Sequence, residues 1–239
     1  MIKRFLLLLL TALPLWAAAQ RQIINDENAV PRDIGSFHAV KISSPITLFL
    51  SQGEREVLVV SASEEKFRDL IRTEVRDGEL HIWFDNKNNL IRNNQHLKLR
   101  VYLSFKELDK LQVSGASTVV VSGTLAVNQL SLDMSGASDF KGNVELGSLN
   151  VKVSGASDAV VSGKAGTVTI DANGASDFKG YELQSDQCSV TASGASDVKI
   201  TVNKELNARA SGASSVYYKG EGVVKEMKSS GASTVGKRS

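Results

Sequence analysis

Ser114-Gly115-Ala116-Ser117 decides how this chain is read. It returns as Ser135-Gly136-Ala137-Ser138, Ser154-Gly155-Ala156-Ser157, Asn173-Gly174-Ala175-Ser176, Ser193-Gly194-Ala195-Ser196, Ser211-Gly212-Ala213-Ser214 and Ser230-Gly231-Ala232-Ser233. The glycines stand at 115, 136, 155, 174, 194, 212 and 231, so the steps are 21, 19, 19, 20, 18 and 19 residues. A nearly fixed step of this size marks a stacked repeat. Four residues before each glycine stand Leu111, Leu132, Val151, Ile170, Val190, Ala208 and Met227, and two before it Val113, Met134, Val153, Ala172, Ala192, Ala210 and Ser229. Leu130, Leu149, Val168, Cys188 and Leu206 form a third apolar column, broken by Lys225. Between them lie Gln112, Asp133, Lys152, Asp171, Thr191, Arg209 and Lys228. A period of two means a strand with one buried face. A second strand follows the motif, with Val119, Phe140, Ala159, Phe178, Val198, Val216 and Val235 in one column. No helix of three turns fits between them, which excludes a βαβ or leucine-rich repeat.

The expected fold is all-β: a single-stranded parallel, right-handed β-helix of about seven coils, with preceding strands and one short helix. Coils stacked roughly 4.8 Å apart bury together an apolar face that one coil cannot bury alone. The glycine supplies positive φ or close backbone approach at a bend. The alanine after it is expected in a place too narrow for a larger side chain.

The amino terminus reads as a secretory signal over residues 1–19: Lys3 and Arg4, then an apolar run, then Ala17-Ala18-Ala19. The run is too short for a membrane span. No cysteine stands directly after the signal to suggest a lipid anchor. Residues 20–35 read as a flexible leader, and 36–239 as one β-helical domain, with strands over 36–113 and coils over 114–235. Within 36–113, strands are expected at 37–42, 46–50, 56–60, 73–76, 79–84 and 97–103, and Leu108–Val113 leads into the first motif. Asp77-Gly78 is the hairpin turn. A helix capped by Ser63 is expected from Glu64 to about Ile71.

The Phe37-His38-Ala39-Val40 strand, the short helix, the Asp77-Gly78-Glu79-Leu80 turn and the Ser-Gly-Ala-Ser coils resemble the putative auto-transporter adhesin, head GIN domain family. The resemblance runs over roughly 36–235. It implies a β-helical domain exported by a Gram-negative, Bacteroidetes-type bacterium to the periplasm, outer-membrane surface or medium. It brings no catalytic residues.

Charge and motifs narrow the function further. Removing Lys3 and Arg4 from 28 basic residues leaves a balance with the 26 acidic ones. A nucleic-acid partner would call for a basic excess. Asp139, Asp158, Asp177 and Asp197 form a column three residues past the glycines, the one candidate calcium ladder. Lys141, Lys179 and Lys199 share that face, so an Asp–Lys lattice is the favoured reading and no cofactor is expected. Cys188, in an apolar column, reads as inert core. His38, His81 and His96 have no metal spacing, and the motif lacks a Gly-x-Ser-x-Gly elbow. Tyr181, Tyr217 and Tyr218 are candidates for a binding surface, whereas Trp83 and Tyr102 are expected in the core. The chain therefore reads as a non-catalytic envelope module or adhesin. Its partner would be a surface glycan or an envelope protein, with self-association possible through the coil ends. The alternative is a polysaccharide lyase or hydrolase with its site between loop 85–96 and the coils.

Overall fold

The structure, a computed structural model, describes residues 26–86 and 97–238. The residues read as a signal, the start of the expected leader, most of loop 85–96 and His96 lie outside the described residues. The elements are β1 (Val30–Arg32), β2 (Ala39–Ile42), β3 (Ile46–Gln52), β4 (Val57–Ala62), α1 (Glu65–Arg68), β5 (Ile71–Arg76), β6 (Glu79–Phe84), β7 (Leu99–Phe105), β8 (Lys110–Val113), β9 (Thr118–Met134), β10 (Asp139–Val153), β11 (Asp158–Ala172), β12 (Asp177–Ala192), β13 (Asp197–Ala210), β14 (Ser215–Lys219), β15 (Val223–Ser229) and β16 (Thr234–Lys237).

Strands β9 to β13 stack in parallel, each one coil of a solenoid of about seven turns. Leu132, Val151, Ile170, Val190 and Ala208 are direct neighbours on successive coils. All five are essentially buried. In β10 the alternation changes phase at Gly147, with Phe140, Val144 and Leu146 inward before it and Leu149, Val151 and Val153 after it. The chain turns a corner there. One outer face thus leaves each bend, and another, the entering face, leads into the next.

The bends lie directly above one another. The N–H groups of Ala137, Ala156 and Ala175 donate to the carbonyls of Gly115, Gly136 and Gly155, each at 2.8 Å. The repeat glycines have φ between 71° and 79°. A Cβ on Gly136, Gly155 or Gly174 would meet the carbonyl oxygen of the preceding glycine at 2.6, 2.5 or 2.7 Å. Glycine is thus required twice, by conformation and by contact. The alanine is not in a narrow place, because Ala116, Ala137, Ala156, Ala175, Ala195 and Ala213 are all exposed. The buried member is the following serine. Ser117, Ser138, Ser157, Ser176, Ser196 and Ser214 are at most 1% exposed. Ser138 Oγ reaches the carbonyls of Ser135 (2.9 Å) and Val113 (3.3 Å), and Ser176 Oγ those of Asn173 (2.9 Å) and Val153 (3.2 Å). Each hydroxyl therefore ties its own bend to the coil below, where a buried polar group needs such a partner.

The amino-terminal strands continue this stack. β2 lies parallel to β8, and β3 parallel to the first part of β9. Between β2 and β3, Ser44 takes the glycine's place with φ 80°. Ser117 Oγ donates to its carbonyl at 2.5 Å. Beyond this hidden bend the two sheets end in antiparallel pairs, β4 with β1 and β7, and β5 with β6. The hairpin at Asp77-Gly78 forms as expected, both residues at positive φ. Phe67 of α1, Ile71 and Phe84 close the core at this end, at 2%, 1% and 4% exposed.

Four further expectations change. The leader is not irregular throughout, because β1 pairs with β4 and Asp26 accepts hydrogen bonds from Arg100 (3.0 Å) and the Asn28 N–H (3.3 Å). The helix is one turn with Glu64 at its cap and no side-chain cap bond, since Ile71 already belongs to β5. Trp83 and Tyr102 sit half-buried on outward faces, Tyr102 stacked on Phe49 with ring centroids 5.1 Å apart. Met227, in the apolar column, is 47% exposed because no further strand among the described residues covers it.

Two outcomes are expected. Gly155→Ala lowers unfolding stability by about 2 kcal/mol or more, from left-handed strain and the carbonyl contact, whereas Gly35→Ala, with nothing near its Cβ, leaves the denaturant midpoint unchanged. Burial disfavours the Asp26 charge, but the neighbouring Ser61 hydroxyl, Arg100 and the Asn28 backbone outweigh that and hold its pKa below the ordinary 3.8. Docking of β1 is therefore fully supported above that value and weakens as pH falls through the lowered one. Peptic cleavage ahead of β4 should accelerate below ~pH 4 in the native protein and be fast already at ~pH 4 in Asp26→Asn.

Candidate functional site

The chemistry-bearing side chains recur once per coil, because a residue type repeated at the coil period becomes a straight outward row. On the face leaving the bends, Asp139, Asp158, Asp177 and Asp197 are register partners on β10 to β13. Lys179 Nζ lies 3.2 Å from Asp158 and 3.3 Å from Asp177. Burial alone would lower the Lys179 pKa, but the hydrogen bonds to these two carboxylates raise it above the ordinary lysine value. An ammonium thus occupies the space between two of the four acids. Val160 interrupts the lysine row beside it. Among the described residues no three acidic, histidine or cysteine side chains gather in a group able to hold a metal ion.

The tyrosines divide. Tyr218 is 7% exposed and belongs to the core, so it presents no surface. It alternates with Tyr217, which is half-buried and faces out. Lys219 Nζ lies 5.0 Å from the centre of the Tyr181 ring, and the Arg238 guanidinium 4.1 Å from that of Tyr217. Burial raises the Tyr181 phenol pKa, with Arg238 acting against it. Tyr181 and Tyr217 therefore form one basic, aromatic patch towards the carboxyl-terminal end.

The entering face carries further outward rows. Ser131, Asn150, Thr169, Ser189 and Asn207 form one row. Gln129, Ser148, Thr167 and Gln187 form the next. None of these nine uncharged polar side chains hydrogen-bonds to another of the described residues. Beside them runs the row Lys41, Gln112, Asp133, Lys152, Asp171, Thr191, Arg209. A shallow depression of about 430 Å³ lies over Lys41, Gln112, Asp133 and Lys152. Asp133 Oδ1 is shielded there without a protein partner. A second, polar one of about 240 Å³ lies over Thr191, Asn207, Arg209 and Glu226.

Cys188 is buried, which pushes its thiol up to about 12, beyond nucleophilic use near neutrality. His38 and His81 pair with Asp109 (3.1 Å) and Glu79 (2.8 Å). No helix among the described residues is long and apolar enough to cross a membrane. The site suggested for a lyase or hydrolase draws on residues outside the described ones.

Several solved structures share this fold. A putative adhesin from Bacteroides fragilis NCTC 9343 superposes with a TM-score of 0.80 at 17% identity, covering 89% of this chain and 98% of that one. A putative lipid binding protein from Parabacteroides distasonis ATCC 8503 gives 0.68 at 18% identity, over 90% and 98% of the two chains. A putative adhesin from Parabacteroides merdae ATCC 43184 gives 0.68 at 19%, over 88% and 95%. At these identities the likeness concerns the fold. No curated protein is significantly similar to the chain. The family described as "putative auto-transporter adhesin, head GIN domain" matches residues 36–222, most of the chain and all but the last coil, and the chain belongs to it.

Proposed function

We propose that this protein is a non-catalytic, exported envelope module that attaches to a hydroxyl-rich polymer, a surface glycan, along the entering face of its solenoid. One observation carries the reading: nine uncharged polar side chains stand in two straight rows on that face without partners of their own. Rows spaced roughly 4.8 Å apart along the axis offer repeated donors and acceptors to an extended chain. Such a ligand exchanges water hydrogen bonds for protein ones at many points, each contributing little, so binding relies on length. The Tyr181–Tyr217 patch stands on the other face, the one leaving the bends, in line with Lys179 and Lys199, and lies outside this contact. Membership in an adhesin family is consistent with this reading, and repetition favours it over catalysis, which needs one convergent site. The Asp column serves as a structural lattice.

Two measurements test it. Glycan-array and calorimetric binding should show saturable binding with no release of reducing ends. The Asn150→Ala/Thr169→Ala/Ser189→Ala variant should bind at least tenfold more weakly (about 1.4 kcal/mol) at unchanged melting temperature, whereas Tyr181→Ala/Tyr217→Ala, on the other face, should bind as the native protein does. Turnover of a bound glycan, or unaltered binding by the triple variant, contradicts the proposal. Calcium should leave the melting temperature unchanged, and a calcium-dependent rise would show that the Asp139–Asp197 column binds the ion.

A further inference from the structure

The two ends of the solenoid differ. The amino-terminal end is closed by α1, β5 and buried aromatics. At the other end β15 pairs only with β13, so among the described residues its outer edge has no strand partner. Two of the four exposed large apolar side chains among the described residues lie on this one strand, Val223 at 60% and Met227 at 47%. Met227 is the neighbour of buried Ala208, and Val224 of buried Leu206. The core therefore runs out of cover here rather than ending in polar residues. Long, unblunted edges of this kind are pairing sites.

The register of β15 points to one occupant. A bulge lies between Val224 and Glu226, where Lys225 is the extra residue. Val224 and Met227 are aligned with inward residues of β13, whereas Lys225 reaches Glu205 and Glu226 reaches Arg209 on the outer side. The order is thus inward, outward, outward, inward, symmetric about the Lys225–Glu226 peptide. A two-fold axis through that peptide would set a second β15 antiparallel to the first. Val224 would then face Met227 of the other copy on the core side, and Lys225 would face Glu226 on the outer side, twice over. Both apolar and charged groups match themselves, as an isologous contact requires.

We infer that this protein forms a two-fold dimer, end to end, by antiparallel pairing of β15 through Val224, Lys225, Glu226 and Met227. The pairing would continue the solenoid across the junction and leave the entering-face rows of both copies open.

Light scattering coupled to size exclusion tests it, over about a hundredfold range of concentration. The native protein should give the dimer mass at high concentration and shift towards monomer on dilution. Lys225→Glu and Glu226→Lys, each placing like charges opposite one another, should both be monomeric under the same conditions. Mixed, these two variants should form a one-to-one heterodimer, because their charges then complement. Circular dichroism should show the native melting behaviour for Lys225→Glu, whose side chain is exposed. A native protein that stays monomeric throughout, a Lys225→Glu variant that still dimerises, or two monomeric variants that do not associate on mixing would each overturn the inference.

Discussion

The carbonyl oxygen of each bend glycine sits where a Cβ of the next glycine would have to go. At Gly155 the gap to Gly136 O is 2.5 Å, too short for any side chain. This single contact fixes the vertical spacing of the bends. It brings the alanine N–H groups to within 2.7–2.8 Å of the glycine carbonyls below. It also brings the serine hydroxyls under the backbone they cap. Once the bends are stacked, the strands on either side are in register, and the aliphatic columns fall on top of one another. Burying one such Val or Leu contributes about 1.5–3 kcal/mol, but only if its neighbours above and below are in place.

The same constraint explains where the chemistry can be. Side chains pointing inward are consumed by the core, and the buried serines are consumed by the bends. What remains for a partner is the outside, where every residue type used at the coil period becomes a row. Charged rows on the face leaving the bends are partly satisfied within the protein, as Lys179 shows between Asp158 and Asp177. The neutral rows on the entering face are not. Function in such a molecule is distributed along an axis, and the ends are the places where the pattern stops.

Most of the solenoid was legible from the sequence because its period of two and its period of about nineteen reinforce each other. The aliphatic columns at Leu132, Val151 and Ile170 could point only one way. The roles inside the motif were less legible. Alanine and serine are both small, and only the folded bend distinguishes the one that turns under it. The hidden bend at Ser44 was missed because the signal used was glycine, and here a serine takes the left-handed conformation. β1 was missed because three residues with a proline in the middle carry too little pattern. Its pairing comes from β4 and from the tertiary contact of Asp26 with Arg100. Tyr218 and Met227 show the limits of columns: the alternation could not say which of two adjacent tyrosines faces out, and a column does not reveal that its last member lacks a cover. The neutral polar rows were present in the sequence as residues of little individual note, and gained meaning only when register aligned them.

Amide hydrogen exchange at Ala137, Ala156, Ala175, Ala195 and Ala213 tests the stacking of the bends most directly. These residues are exposed, yet their N–H groups donate to the glycine carbonyls of the coil below. The account predicts protection comparable to that of core-strand amides such as Val151, because both open only when coils separate. Exchange at the rate of exposed loops would mean that the bends do not hold one another, and would contradict the architecture.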